Sequence, residues 1–184
     1  MQPPRTLRTE RRYAGRVFDL IIDEVEYPSG RVGIREIARH PGGAVVVPLQ
    51  DDRTVVLVRQ YRHPVDSYVI ELPAGKLEPG EDPAHCATRE LAEETGYEAT
   101  SLTRLTSIYT TPGFCSEILH LYLARGLRPT GRGQQLEEGE QTLTLLPTPL
   151  DEALAMIERG EIVDGKSICG LFLATRALAR KPQF

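Results

Sequence analysis

A mixed α+β sandwich of sheet and helices is the fold class this sequence predicts, on three observations. Apolar runs rich in β-branched residues recur between short Pro/Gly clusters from residue 16 to 72, one well-capped helix follows at 82–96, and two helical stretches close the chain.

Element by element, 16–27 (RVFDLIIDEVEY) and 31–39 (RVGIREIAR) flank Pro28-Ser29-Gly30 and read as a β-hairpin. Beyond the break at HPGG, the runs 44–49 (AVVVPL) and 54–60 (TVVLVRQ) flank the polar turn Gln50–Arg53 and predict a second hairpin. Residues 68–72 (YVIEL) add a strand. The helix starts where Asp82 can accept the first free N–H groups and Pro83 occupies the first turn. It stops at Gly96, which tolerates a left-handed conformation. At about 100° per residue, Ala84, Ala87, Thr88, Leu91 and Thr95 share one face, with Glu90, Glu93 and Glu94 on an adjacent stripe. Strands resume at 103–110 and 117–124, a polar loop fills 125–139, a strand follows at 141–147, and helices at 149–159 and about 166–179 end the chain.

A length of 184 residues predicts a single domain spanning 1–184 with a real core. With 22 Lys plus Arg against 26 Asp plus Glu the net charge is −4, and no basic stripe points to nucleic acid or an anionic membrane surface. A small polar ligand fits better. Cys86, Cys115 and Cys169 are odd in number, widely spaced and without a C-x-x-C, which supports neither a disulfide framework nor a zinc ribbon. The expected compartment is the reducing cytoplasm. The N-terminus lacks an apolar signal core, and no apolar run approaches the roughly 18 residues that a bilayer span requires.

The acids on the helix need an explanation. Glutamates three and four residues apart repel by a few tenths of a kcal/mol per pair when exposed, and by more when partly buried. A solvated acidic face normally interleaves Lys, yet the nearest positions here are alanine, threonine and leucine, so the cluster calls for a cation from outside. Oxygen-only ligands favour a hard ion, Mg²⁺ or Mn²⁺, held jointly by carboxylates and substrate phosphates. His85 beside Cys86 is not a ligand spacing, His40, His63 and His120 stand isolated, and GLFLATRALA near the C-terminus reads as a core helix.

The spacing is also diagnostic. Gly75, five residues, Glu81, seven residues, then Arg89-Glu90-Leu91-Ala92-Glu93-Glu94-Thr95-Gly96-Tyr97 fills all nine defined positions of a 23-residue pattern, G-x5-E-x7-R-E-U-x-E-E-x-G-U with U apolar. This resembles the Nudix box. The resemblance implies the Nudix fold, an α/β/α sandwich on a mixed sheet with the box as loop-helix-loop, and hydrolysis of a nucleoside diphosphate linked to a further group. It implies metal ligation by Glu90, Glu94 and Glu93 and by the main-chain carbonyl of Ala74, with Arg89 orienting an acid such as Glu81.

Outside the box, VRQYRHP (58–64), ELPAGKLEPGED (71–82) and Thr111-Pro112-Gly113-Phe114-Cys115-Ser116-Glu117 resemble the ADP-ribose pyrophosphatase branch of the family, in which a proline lies about sixteen residues past the box glycine. The likeness runs from about residue 13 to 179 and implies further roles. Arg62 would reach the diphosphate or terminal ribose, and Glu117 would accept ribose hydroxyls. Arg16, Val17 and Glu36 would hold the adenine across a homodimer interface built by the 1–40 hairpin region, with 41–184 as the Nudix core. In the loop QQLEEGEQ, Glu138 aligns with the general base and Glu140 with a metal-contacting position; Gly139 departs from the branch's usual Asp. The implied reaction is Mg²⁺-dependent cleavage of ADP-ribose to AMP and ribose 5-phosphate. A broader nucleoside diphosphate sugar pyrophosphatase and a non-catalytic ADP-ribose-binding module are the alternatives. Retention of every box glutamate weighs against the module.

Overall fold

The computed structural model describes residues 2–179. In chain order the elements are β1 (Arg5–Ala14), β2 (Asp19–Glu26), β3 (Val32–Arg39), β4 (Gly43–Leu49), β5 (Thr54–Arg62), β6 (Ser67–Glu71), β7 (Ala74–Lys76), α1 (Pro83–Thr95), β8 (Tyr97–Tyr109), β9 (Ile118–Pro129), β10 (Thr144–Pro149), α2 (Leu150–Glu158) and α3 (Gly165–Ala179), with short 3-10 turns at His63–Val65 and Glu138–Glu140. They form two compact units: residues up to Gly42 with Tyr109–Ile118, and Gly43–Ile108 with the residues from Leu119 onward.

The first unit is built on an antiparallel sheet β1-β2-β3. The β2–β3 hairpin turns through Tyr27–Gly30, where the Gly30 N–H donates to the Tyr27 carbonyl at 2.8 Å and Gly30 takes φ +80°. The extra strand, β1, escapes a sequence reading because RTLRTERRYA has no apolar alternation. The ladder to β2 holds it instead, helped by Arg5–Glu26 (2.7 Å) and Arg11–Asp19 (3.3 Å) ion pairs. The segment Tyr109–Ile118 folds back on the end of β3, with Ala38 N–H donating to Phe114 O (2.8 Å) and Ser116 N–H to Ala38 O (3.0 Å).

In the second unit, the order is β10-β5-β4-β9-β8, with β6 paired to β5 and β7 to β4. The expected 44–60 hairpin is present only at its turn. Leu49 pairs with Val55, and from there β4 leaves β5 to run parallel to β9, from Gly43↔Leu119 to Leu49↔Arg125, while β5 pairs with β10 and β6. Every residue of β4 is buried, as an unbroken apolar run must be when both faces of the sheet are covered. Val45, Val47 and Leu49 face Leu150, Met156 and Leu171 of α2 and α3, whereas Ala44 and Val46 face Cys86, Ala87 and Leu91 of α1. This is an α/β/α sandwich on a mixed sheet. The loop expected at 125–139 starts later, because β9 continues to Pro129, and the strand expected at 141–147 lies at Thr144–Pro149. No helix among the described residues is long and apolar enough to cross a membrane.

Candidate active site

The capped helix sets the geometry. Asp82 accepts N–H bonds from Ala84 (2.8 Å) and His85 (3.4 Å), Pro83 opens the first turn, and Gly96 ends α1 at φ +70°. The rotation of the helix differs from the sequence expectation. Thr88 is exposed, while Glu90 and Glu94 lie on the inward stripe with Cys86, Ala87 and Leu91, only 6% and 2% exposed. Glycine at 75 makes room for this: a Cβ there would stand 1.8 Å from Glu90 Oε1.

Arg89 is the hub of the acids. Its Nε and Nη2 fork onto Glu81 (2.9 and 3.1 Å), and Nη1 donates to Glu90 Oε1 (2.6 Å) and Glu93 Oε2 (3.0 Å). The fork draws the Glu81 carboxyl down to about 2. Burial does the reverse further along the helix. Desolvation pushes Glu90 up to about 7 in spite of Arg89, and Glu94 up to about 8, with Glu90 and Glu140 adding repulsion. Glu94 accepts one backbone bond, from Ala74 N–H at 3.1 Å, so the residue expected to offer its carbonyl does lie beside this carboxylate.

The loop acids follow. Thr130, Gln134 and Gln135 bond to the C-terminal end of α1, and the chain then enters the Glu138–Glu140 turn. Glu140 is half-buried, its Oε2 accepts the Glu137 N–H (3.1 Å), and its charge acts on both Glu90 and Glu94. Glu137 and Glu138 are exposed.

Arg62 is engaged by a residue that the sequence reading missed. Its Nε lies 3.1 Å from both Glu71 oxygens, its Nη2 also donates to Glu71, and Glu94 contributes to its field. Lys166 Nζ approaches the same Glu71 oxygen at 3.2 Å and Asp164 at 3.0 Å. The signal was a lone acid at the end of the apolar strand YVIEL, a position where a charge persists only when paired.

In the first unit, Arg16 and Val17 line a pocket of about 460 Å³ together with Phe18, Arg39 and His40. Its lining does not include Glu36, which is exposed on β3 opposite Ile22. Glu117 Oε1 lies 3.3 Å from His40 Nδ1, and the neighbouring Ser116 hydroxyl accepts the His40 N–H at 2.9 Å.

Among the described residues, no three acid, His or Cys side chains already converge as a ligand set. Arg89 keeps Glu90 and Glu93 turned to itself. The donors nonetheless fit a hard divalent cation: all are oxygens, and two belong to buried carboxylates whose negative charge the chain under-compensates.

A family model described as NUDIX domain matches residues 39–168. The chain belongs to the Nudix family. This Nudix protein is 45% identical over 164 residues to the methanol dehydrogenase activator of Bacillus methanolicus, covering 89% of this chain and 88% of that one. It is 40% identical over 163 residues to the ADP-ribose pyrophosphatase of Bacillus subtilis (strain 168), with the same coverage of 89% and 88%. Its fold matches a crystal structure of an ADP compounds hydrolase at TM-score 0.83 and 27% identity, over 97% of this chain and 95% of that one.

Proposed function

We propose that this Nudix protein hydrolyses the pyrophosphate of ADP-ribose to AMP and ribose 5-phosphate. The observation that carries the reading is the pair Glu90 and Glu94, buried, under-compensated and joined by Glu140, in a chain 40% identical to an ADP-ribose pyrophosphatase. Glu90, Glu94 and Glu93, with Glu140 and the Ala74 carbonyl, would hold Mg²⁺ or Mn²⁺. A bound divalent cation would screen charge developing on the diphosphate oxygens and lower the pKa of the attacking water. Arg89 keeps Glu81 and the box acids in register. Arg62, held through its Nε–Nη2 edge by Glu71, is assigned to the diphosphate or the terminal ribose. Glu138, exposed on the loop, accepts the proton of the water that attacks phosphorus, the bridging P–O bond breaks, and the leaving oxygen takes up a proton.

Substrate ends are assigned to the first unit: Glu117 to the terminal ribose, and Arg16, Val17 and Glu36 to adenine. Apolar side chains exposed there, among them Leu7, Tyr13, Val17, Phe18, Val32 and Ile34, support a homodimer joined through this sheet. Free Cys86, Cys115 and Cys169 support a reducing, cytoplasmic setting.

A panel of ADP-ribose, ADP-glucose and UDP-glucose, read by phosphate release after product dephosphorylation with and without EDTA, tests the reading. The expected result is ADP-ribose turnover above the sugar nucleotides and abolished by EDTA. Turnover of ADP-ribose far below that of the sugar nucleotides would move the assignment to a broader nucleoside diphosphate sugar pyrophosphatase. Binding without turnover of any of them would leave an ADP-ribose-binding module. The 45% identity to a methanol dehydrogenase activator favours one second reading, activation of a methanol dehydrogenase. A methanol dehydrogenase whose rate ignores the added chain rejects it.

A further inference from the structure

The acids on the loop need a fixed origin, and the hydrogen bonds at the end of α1 supply one. The last carbonyls of a helix lack intrahelical partners. Here the carbonyl of Glu93 accepts the Gln135 N–H (2.8 Å), that of Gly96 accepts the Thr130 N–H (2.8 Å), and that of Glu94 accepts Gln134 Nε2 (2.7 Å). The segment lies tightly against the helix end: a Cβ on Gly96 would come within 2.9 Å of the Gly133 carbonyl carbon. Only a short stretch separates this clasp from Glu140. It is itself braced, with Glu140 N–H donating to Glu137 O (2.9 Å) and Glu137 N–H to Glu140 Oε2 (3.1 Å).

One end of the braced segment therefore bonds to the main chain of Glu94, and the other carries the carboxylate whose charge acts on the Glu94 side chain. We propose that Gln134 is a positioning residue: by clasping the Glu94 carbonyl it fixes where the Glu140 carboxylate stands relative to Glu90 and Glu94. The inference rests on the reading that Glu140 serves hydrolysis. A simple helix cap would affect stability and leave the loop acid's contribution untouched.

A double-mutant cycle separates the two. ADP-ribose hydrolysis is measured at saturating Mg²⁺ for Gln134→Met, which keeps the size and deletes the donor, for Glu140→Gln, and for the pair. The methionine variant should lose about tenfold in kcat with KM within about twofold. The pair should be no worse than Glu140→Gln alone, and Gln134→Lys, which returns a donor, should recover most of the loss. Gln134→Ala serves the same cycle if the methionine variant does not fold. A silent Gln134→Met, or a loss that multiplies with that of Glu140→Gln, overturns the inference alone. Glu140→Gln with unchanged kcat removes the loop acid's role, and the inference with it.

Discussion

Two sets of buried acid lie in the second unit, and they are treated differently. Glu71, 4% exposed, arrives with its own cations: Arg62 forks onto it and Lys166 Nζ approaches at 3.2 Å. Glu90 and Glu94 are buried to the same degree, yet among the described residues Glu90 accepts from Arg89 Nη1 and Glu94 from the Ala74 N–H, and burial outweighs both bonds. A carboxylate out of water is tolerable when paired and costly when not. The Glu71 set thus has its counter-charges within the chain, whereas the Glu90–Glu94 set leaves carboxyls that burial makes costly to ionise.

The sharpest way to break this comparison is to neutralise one member of each set. Glu94→Gln should lower kcat/KM for ADP-ribose by about 10³, while the metal-free protein melts at an equal or higher temperature because a buried carboxyl that is costly to ionise is gone. Glu71→Gln should do the opposite to the fold, leaving Arg62 and Lys166 short of their counter-charge at a cost of about 3–5 kcal/mol. Steady-state kinetics and denaturant titrations on both variants decide it. Equal destabilisation by the two substitutions would erase the distinction.

This distinction was only half legible in the sequence. Spacing exposed the box because its acids are close in the chain and lie on one helix, and the caps Asp82 and Gly96 are local signals that the structure retains. Glu71 and Lys166 were missed because 95 residues separate them and only the packing of α3 on the sheet brings them together. Thr88 and Glu90 exchanged expected environments for a similar reason. Hydrophobicity alone puts threonine inward and glutamate outward, and the gap left by Gly75 reverses that order. The strand β1 gave no apolar alternation to read, and the splayed 44–60 hairpin hid the parallel β4–β9 pairing, which no local pattern announces.

A subtler perturbation sharpens the same comparison without altering any charge. Gly75→Ala would place a methyl carbon 1.8 Å from Glu90 Oε1, so the carboxylate must leave its position beside Arg89. Expected are a stability loss of about 1–3 kcal/mol and a fall in kcat of about a hundredfold from the misplaced acid. Full activity in this variant would show that the location of Glu90 does not matter to the chemistry.

The smallest effect is a pH dependence whose sign differs between acids. Glu90 and Glu94 sit at about 7 and about 8 in the folded chain, against an ordinary value of 4.5, so the folded state holds protons that the unfolded state has released. Their favourable contribution is whole below about pH 4.5 and is lost as pH rises through 7 and 8. Glu81 has the opposite sign. Held at about 2, it stabilises at all pH values above its ordinary range and fails only in strong acid, outside this window. The EDTA-treated protein should therefore lose several degrees of Tm between about pH 5 and pH 8.5. Added Mg²⁺ should raise Tm more at the upper end than at the lower, because the ion competes with those protons for the same oxygens. Differential scanning calorimetry across the range, with and without Mg²⁺, measures both slopes. A metal-free Tm that stays level from pH 5 to 8.5 would mean that Glu90 and Glu94 are as well compensated from within as Glu71.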